Sequence, residues 1–348
     1  MSESVVSKKY LVPVDDGYGW TNIDCFNRPV SMIMSNFNKD FYKTYLFYVC
    51  LFHSFFIGKW YPNLFEDEEF PQKSFTEFYN DFLKEKLDIE FCTHEVKNED
   101  DFHKNIEKLV DDGNPVIVPC DVFDLFYYYN YKFEHIEHYF VIDGYDREKQ
   151  VYHILDTLHV DLAKNAVYKE FYIKYDEIYR LMNDFFKNMA SMCKNKFFWY
   201  FKKINEINYS FKDCDKEYLQ LIINVLSSKI DIKYIEVEAI KYIETAVKNN
   251  DLSLLESNIE RIFRRSNYKK IYYDMLLDLL AELKTNEKVI GEVKSSISNL
   301  LSGWEKVRNK IVYETLNQSY NFKHFDGNMK NLIQAEIDFL REISNIIK

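Results

Sequence analysis

The sequence predicts an α+β domain followed by an all-helical domain. Helical patterns occupy the chain up to about residue 113, and strand-like runs follow as far as residue 175. Strand signals stop after about residue 205, where apolar residues recur at helical spacing. Helices segregated from a run of strands are typical of the α+β class. We therefore expect domains over residues 1–205 and 206–348.

The first element is an apolar helix that should run from Arg28 to about Phe56. Pro29 fits its first turn, because a backbone N–H at that position would have no partner in the helix. The most apolar part, residues 45–58, is shorter than the roughly 18 residues that a membrane span requires. We therefore expect a buried helix and no membrane association.

Two further helices are expected before the strands. Residues 74–87 begin with Ser74, and residues 98–113 begin with Asn98 and end with Gly113. Ser and Asn side chains cap helix N termini, and Gly is common just after a helix. Both segments therefore carry the start signals of helices.

Four β-strands are expected next. Short β-branched or aromatic runs bounded by turn residues identify them. Their sequences are NPVIVPCDVF (114–123), HYFVIDGY (138–145), QVYHILDT (150–157) and VYKEFYIKY (167–175). The residues DREK between the second and third runs predict a turn, so these two strands should form a hairpin.

The composition describes an acidic protein with a large apolar fraction. Of the 348 residues, 47% are hydrophobic, which suffices for a core, and the net charge is −11. A negative charge of this size argues against general binding to nucleic acid. The N-terminal residues lack the apolar stretch of a signal peptide, so we expect a cytoplasmic protein.

Six cysteines are scattered along the chain without a C-x-x-C pair: Cys25, Cys50, Cys92, Cys120, Cys193 and Cys214. In a long intracellular chain this spacing argues against a disulfide framework and a structural zinc site. Cys50 and Cys120 lie in apolar runs and should be small buried hydrophobes. Cys25 differs, because it stands just before the apolar helix, where the helix dipole stabilises a thiolate.

The predicted hairpin supplies partners for such a thiolate. With DREK as the turn, residue 138 faces about residue 157, so His138 and Asp156 are cross-strand neighbours to within one residue. A carboxylate there accepts the imidazole N–H and stabilises the imidazolium. Cys25, His138 and Asp156 thus form a candidate set of nucleophile, base and orienting group.

The other histidines leave alternatives open. His135 lies at the same strand entry and is a rival base. His135 and His138 with His153 or His159 are similar to a metal cluster, but no carboxylate stands at ligand spacing, so no metal is expected. The three candidate residues also have ordinary explanations as a core cysteine, a core histidine and the end of a strand.

The order of these motifs resembles the papain-like superfamily in its C39-peptidase-like branch. More closely, it resembles the N-terminal domain of the butirosin biosynthesis acyltransferase family, over about residues 10–200. In that family a cysteine opens the first long helix, and three motifs follow: G-x-PVIV-x-x-D, H-hydrophobic-GYD and a strand ending in Asp. The corresponding elements here are Cys25, GNPVIVPCD (113–121), HYFVIDGYD (138–146) and YHILD (152–156).

The resemblance implies a papain-like cysteine protease fold and a thiol acyltransferase of specialised metabolism, such as antibiotic biosynthesis. It implies that Cys25 is the nucleophile, His138 the base and Asp156 the orienting group. The acyl donor is then a thioester on the phosphopantetheine arm of an acyl or peptidyl carrier protein, the acceptor is a small-molecule amine, and no cofactor is bound. The amide-forming enzyme of polythioamide (closthioamide) biosynthesis looks like a member of the same group.

One position departs from the papain-like pattern. Such enzymes commonly place a Gln six residues before the cysteine to bind the oxyanion, and here that residue is Gly19. The backbone N–H of Cys25, together with Trp20, Asn22 or Asn27, is the candidate donor set. The missing Gln keeps open a non-catalytic relative that only binds a ligand. A cysteine peptidase or amidase with the same three residues is the other alternative.

Two further features have two explanations each. Basic stretches at residues 194–203 and 264–270 could steer an acidic carrier protein, or they could be solvated helix faces. The aromatic residues at positions 123 and 126–129 could line an acyl pocket, or they could belong to the core.

Overall fold

The computed structural model describes residues 25–38, 41–55, 83–128, 130–159, 166–190, 193–205, 215–217, 219–220, 268–317 and 325–347. The chain divides into two compact units: Met1–Tyr45 with Thr76–Tyr209, and Leu46–Phe75 with Ser210–Lys348. The predicted domain boundary at residue 205 meets the segment 206–214, which lies outside the described residues. That boundary therefore stays a prediction.

The first unit contains a six-stranded sheet. Its strands are β1 (Ile89–Val96), β2 (Val116–Asp121), β3 (Glu137–Asp146), β4 (Val151–His159), β5 (Ala166–Lys174) and β6 (Lys196–Lys203). The spatial order is β1-β6-β2-β3-β4-β5, and each strand runs antiparallel to its neighbours. An antiparallel sheet with helices gathered at the C terminus of the chain agrees with the predicted mixture of helices and strands.

Two of these strands, β1 and β6, were not predicted from the sequence. The basic stretch at residues 194–203 is not a solvated helix face, because Lys196–Lys203 form β6. This strand pairs with β1 along all eight of its positions, from Ile89 opposite Lys203 to Val96 opposite Lys196. The two strands are about a hundred residues apart in sequence, so a local pattern carried no sign of their pairing.

The α-helices with both ends given before residue 190 are α1 (Asn27–Phe37), α2 (Phe41–Phe55), α3 (Glu99–Asp111) and α4 (Tyr175–Asn188). Residues 83–87 are also helical, and Val122–Asp124 form a short 3-10 helix. The prediction of one continuous helix from Arg28 to Phe56 was wrong. Asn38 has an extended backbone between α1 and α2, and its N–H donates to the Met34 carbonyl. Asn competes with helical hydrogen bonding and favours helix ends, which accounts for the break. Among the described helices, none is long and apolar enough to cross a membrane.

Helix α3 follows its sequence signals closely. The Asn98 side chain accepts a hydrogen bond of 2.9 Å from the Asp101 N–H, which satisfies one of the free donors at the helix start. Three acidic residues occupy the first turn, where they complement the helix dipole. Gly113 follows the helix with a φ of +82°, a conformation that favours glycine. The predicted helix over residues 98–113 is therefore confirmed, since the observed helix runs from Glu99 to Asp111 with Asn98 and Asp112 as its caps.

The main core of the first unit joins α3 and α4 to one face of the sheet. Its members are almost fully buried and include Phe102, Ile106, Val118, Phe140, Ile142, Ile154, Ile178, Leu181 and Phe198. Full burial of an aliphatic or aromatic side chain contributes roughly 1.5–3 kcal/mol. The core thus packs against the middle strands β2, β3 and β4. Two of the predicted site residues, His138 and Asp156, lie on β3 and β4.

The described part of the second unit beyond residue 214 is helical, as predicted. Residues 215–217, 219–220 and 268–282 are helical, and α5 (Glu287–Leu316) and α6 (Phe325–Ile347) follow. The predicted helices between residues 221 and 267 lie outside the described residues. Gly303 of α5 packs tightly against α6, because a Cβ there would lie 2.6 Å from a Leu332 methyl group.

A buried carboxylate joins the three long helical segments of this unit. Glu336 in α6 accepts from the Lys269 ammonium at 2.5 Å, from the hydroxyls of Tyr272 and Tyr273 at 2.5 Å each, and from the Trp304 indole at 3.1 Å. Glu336 and Lys269 are 0% and 1% exposed. Lys269 therefore belongs to the interior and not to the surface patch predicted over residues 264–270.

Candidate active site

The hairpin of β3 and β4 brings His138 and Asp156 together. A β-bulge between Ile142 and Gly144 shifts the strand pairing, so that Val141 faces Leu155. Continuing this register places Asp156 opposite Phe140, two residues from His138. Side chains two residues apart on a strand share a face, so the two residues are diagonal neighbours on one side of the sheet. The predicted register, with residue 138 facing about 157, was wrong by about one residue.

The contact between the two side chains is close and buried. His138 Nε2 lies 2.8 Å from Asp156 Oδ1 and 2.9 Å from Oδ2. Each residue is 1% exposed. Burial opposes the charged imidazolium, but the Asp156 charge and the hydrogen bonds of the imidazole with Asp156 and Cys25 outweigh it and raise the pKa of His138 to about 10. The imidazolium is therefore the favoured form at neutral pH.

Cys25 lies close to this histidine, although more than a hundred residues separate the two in sequence. It lies in a turn two residues before the first residue of α1, and its side chain is half-buried. Its Sγ is 3.9 Å from the carbonyl oxygen of Glu137, the residue next to His138. The interaction of Cys25 with the imidazole contributes to the raised pKa of His138. Because Nε2 of His138 is hydrogen-bonded to Asp156, Nδ1 is the ring nitrogen available to the thiol.

An aromatic cluster fixes the start of α1 against the sheet. The Phe26 ring makes edge contacts with Tyr139 of β3 at 5.2 Å, with Trp199 of β6 at 5.6 Å and with Phe91 of β1 at 6.3 Å between ring centroids. Such contacts add to the apolar burial of the rings. Phe26 follows Cys25 and Tyr139 follows His138, so this packing holds the thiol beside the imidazole.

Two tyrosines complete the surroundings of the pair. The Tyr127 hydroxyl donates to Asp156 Oδ2 at 2.6 Å, and the Tyr128 ring lies 4.9 Å from the His138 ring. The sequence placed both only among candidate pocket or core residues, and the contact of Tyr127 joins residues 29 apart in sequence. Tyr129 of the same group lies outside the described residues.

His135, the rival base, has a different carboxylate partner. Its Nδ1 lies 2.6 Å from Asp121 Oδ2, and its ring stacks on Phe123 at 4.4 Å. Asn188 also donates to the same Asp121 oxygen, at 3.0 Å. Burial raises the pKa of the Asp121 carboxyl, but these hydrogen bonds and the neighbouring imidazole lower it overall. His135 is thus tied to the end of β2 and not to Asp156.

His153 forms another buried pair on the same hairpin. Its Nδ1 lies 2.5 Å from Asp143 Oδ1, and Nε2 lies 3.5 Å from Glu170 Oε2. Burial raises the pKa of the Asp143 carboxyl, and the surrounding carboxylates raise that of His153 against its own burial. Within the described residues, no three His, Cys, Asp or Glu side chains are arranged to hold a metal ion. The side chain of His159 lies outside that description.

Cys120 is the cysteine that lies opposite His138 in the β2–β3 pairing. It is fully buried in the main core, and burial raises the pKa of its thiol well above the ordinary value. A buried thiol held protonated is a poor nucleophile. Cys50 is also buried, as the sequence predicted for both.

The predicted oxyanion donors fall mostly outside the description. Gly19, Trp20 and Asn22 precede the described residues. Asn27 lies buried in the first turn of α1, and its side-chain oxygen accepts from the Tyr45 hydroxyl at 2.7 Å. That contact fixes the Asn27 amide within the helix start that carries Cys25.

Comparison with known proteins agrees with the resemblance inferred from the motifs. A search of curated proteins finds no match to this chain. Residues 59–157, however, match the family described as butirosin biosynthesis protein H, N-terminal. The matched segment includes His138 and Asp156, and Cys25 precedes it. The chain is therefore similar, over this segment, to the N-terminal region of the butirosin biosynthesis protein H family, as its motifs predicted.

Proposed function

We propose that this protein is a cysteine-dependent acyltransferase with a papain-like fold, which forms an amide from a carrier-bound acyl thioester and an amine. The observation that carries the proposal is the arrangement around His138, with Asp156 on Nε2 and Cys25 beside the ring. A nucleophile, a base and an orienting carboxylate in this order are the groups that thiol acyl transfer requires. The family match supports a role in biosynthesis.

In the first half-reaction, the Cys25 thiolate attacks the carbonyl carbon of the thioester. The C–S bond to the phosphopantetheine arm breaks, and the departing thiolate takes the proton from the His138 imidazolium. The raised pKa of His138 keeps the imidazolium populated at neutral pH, so this proton is ready for the leaving group. One thioester replaces another, and the step is close to balanced in free energy.

In the second half-reaction, the amine nitrogen attacks the acyl-enzyme. His138, now neutral, accepts the proton that the nitrogen loses, and the C–S bond to Cys25 breaks as the amide forms. Asp156 stabilises the imidazolium that results, as an orienting carboxylate does in other triads. Conversion of a thioester to an amide is the downhill step, so water must be kept from the acyl-enzyme until the amine arrives.

The acyl donor and acceptor follow from the same proposal. We expect a phosphopantetheine-bearing acyl or peptidyl carrier protein as the partner and a small-molecule amine as the acceptor. The amide-forming enzyme of closthioamide biosynthesis remains an expected relative. The basic end of β6, which includes the exposed Lys202, is a candidate surface for an acidic carrier protein.

The test uses acetyl-, hexanoyl- and benzoyl-pantetheine as donors and intact-protein mass spectrometry as the readout. We expect the wild type to gain the mass of the acyl group on Cys25 and Cys25→Ala to gain none. The amide should be released only after an amine is added. Release of free acid together with hydrolysis of peptides would identify a peptidase or amidase. A protein that neither acquires an acyl group nor hydrolyses peptides would be a ligand-binding relative, and the proposed chemistry would be wrong.

A further inference from the structure

We infer that Tyr127 is a positioning residue of the candidate active site, which orients Asp156 and through it the imidazole of His138. The inference rests on the proposed function and adds a fourth member to its set of residues. Its basis is the shared oxygen Oδ2 of Asp156, which lies 2.6 Å from the Tyr127 hydroxyl and 2.9 Å from His138 Nε2.

A buried carboxylate can rotate about its last bond unless its oxygens are held. His138 contacts both oxygens of Asp156 through a single nitrogen, and a single donor atom restricts that rotation only weakly. The Tyr127 hydroxyl approaches Oδ2 from the residues that follow β2, whereas His138 approaches from β3. Two donors from different elements fix the carboxylate plane, which keeps it directed at the imidazole.

The Tyr127 ring is itself held in place. It stacks on Phe171 of β5 with 3.8 Å between centroids and an angle of 8° between planes. Phe171 pairs with Ile154 in the neighbouring strand β4, two residues before Asp156. Phe171 and Asp156 therefore lie on adjacent strands of one sheet. The stacking on Phe171 holds the Tyr127 ring in the orientation in which its hydroxyl donates to Oδ2.

The hydroxyl also stays a donor over the working pH range. Burial and the nearby Asp156 charge raise the pKa of Tyr127 well above its ordinary value of 10. The phenol is thus neutral wherever the Cys25–His138 pair would act. A neutral donor favours the charged form of the carboxylate, so Asp156 stays ionised and the proton stays on the imidazole.

The test compares Tyr127→Phe with Tyr145→Phe. Tyr145 is a matched control, because its hydroxyl donates to Asp111 at 2.8 Å in the same unit, away from His138. Histidine titration by NMR on protein labelled at the imidazole carbons reports the pKa of His138. Iodoacetamide labelling of Cys25 between pH 5 and 10, read by peptide mass spectrometry, reports the pH midpoint of thiol reactivity.

We expect Tyr127→Phe to lower the pKa of His138 by about one unit, because the Asp156 carboxylate then turns away from Nε2 and stabilises the imidazolium less. The midpoint of Cys25 labelling should accordingly move to higher pH. Tyr145→Phe should move neither. If Tyr127→Phe fails to fold, Phe171→Leu removes the stacking ring, keeps the hydroxyl and should give a smaller shift in the same direction. A folded Tyr127→Phe, or failing that a folded Phe171→Leu, with the wild-type pH profile would overturn the inference.

The variant His138→Ala separates this inference from the proposed function. If His138→Ala changes the labelling of Cys25 and Tyr127→Phe does not, Tyr127 is structural and the proposed function stands. If neither variant changes it, Cys25 and His138 do not act together, and both proposals are wrong.

Discussion

Asp156 contacts His138 across a hairpin in which the two residues are not directly opposite each other. The contact of 2.8 Å depends on the β-bulge at Asp143, which shifts the register so that both side chains share one face of the sheet. Without that shift the pairing of Asp146 with Val151 would continue along the hairpin and put residue 138 opposite residue 159. Asp156 would then lie on the opposite face from His138, since side chains alternate along a strand. The bulge is therefore part of the candidate active site, although it lies five residues from His138.

Asp156→Asn should damage both function and stability. The amide cannot stabilise the imidazolium as the carboxylate does, so we expect acyl transfer to fall by about a thousandfold or more. Loss of one partner from a buried ion pair should also cost about 3 kcal/mol of unfolding free energy. Urea unfolding and thioester turnover measure the two effects.

Asp146→Asn is the control for this change. Asp146 pairs with Lys149 in the exposed turn of the same hairpin, at 2.7 Å. Exposed ion pairs contribute little, so neither stability nor turnover should change measurably. Equal behaviour of the two variants would contradict a special role for Asp156.

The stability of the protein should depend on the charge state of His138. Its pKa in the folded protein is raised from 6.5 to about 10. A group whose pKa rises on folding stabilises the fold fully below its unfolded pKa and loses that contribution as the pH rises through the folded value. The difference in unfolding free energy between wild type and His138→Gln should therefore be largest below about pH 6.5 and should shrink towards pH 10. Urea titrations at pH 6, 8 and 10 measure it, and a difference independent of pH would show that His138 is not charged.

Phe26→Ala should move Cys25 away from His138 while leaving the sheet intact. Removal of a half-buried ring that contacts three others should cost about 2 kcal/mol of unfolding free energy. Because the thiol is held by this packing, we also expect Cys25 alkylation to slow by about tenfold. Phe133→Ala is the control, since that side chain is 84% exposed. If Phe26→Ala lost stability but kept full Cys25 reactivity, the aromatic cluster would not position the thiol.

Glu336→Gln should destabilise the second unit. The change removes the negative charge that the buried Lys269 ammonium contacts at 2.5 Å, which should cost about 3 kcal/mol. The double variant Glu336→Leu/Lys269→Met should recover much of this loss, because it removes both charges together. Thermal unfolding of the three proteins measures the effect. Glu292→Gln, which breaks an exposed pair with Lys288, should leave the midpoint unchanged; a matching midpoint for Glu336→Gln would contradict the buried network.

Local signals in the sequence were sufficient for part of the fold. The cap at Asn98, the turn after Asp146 and the β-branched run at 116–121 predicted α3, the hairpin and β2, because each depends on residues close together in the chain. The pairing of β1 with β6 depends on residues about a hundred positions apart. Propensity alone does not specify such partners, and the aromatic and lysine residues of β6 also fit a helix face.

The candidate site was predictable in its residue types but not in its geometry. Cys25 and His138 were identified from a helix start and a strand start, although they meet across more than a hundred residues. The role of Tyr127 could not be inferred, since its hydroxyl reaches Asp156 through a turn whose path no local pattern describes. A bulge of one residue at Asp143 likewise has no clear sequence signal beyond the Gly that follows it.

The most direct test of the central claim is the rate of iodoacetamide labelling at each cysteine, followed by peptide mass spectrometry from pH 5 to 9 in wild type and His138→Ala. The account predicts that Cys25 reacts fastest, ahead of the exposed Cys193, that the buried Cys120 stays unlabelled, and that His138→Ala removes the advantage of Cys25 at neutral pH. If Cys25 reacts no faster than Cys193, or if its rate does not respond to His138→Ala, the thiol and the imidazole do not form a reactive pair and the acyltransferase proposal is wrong.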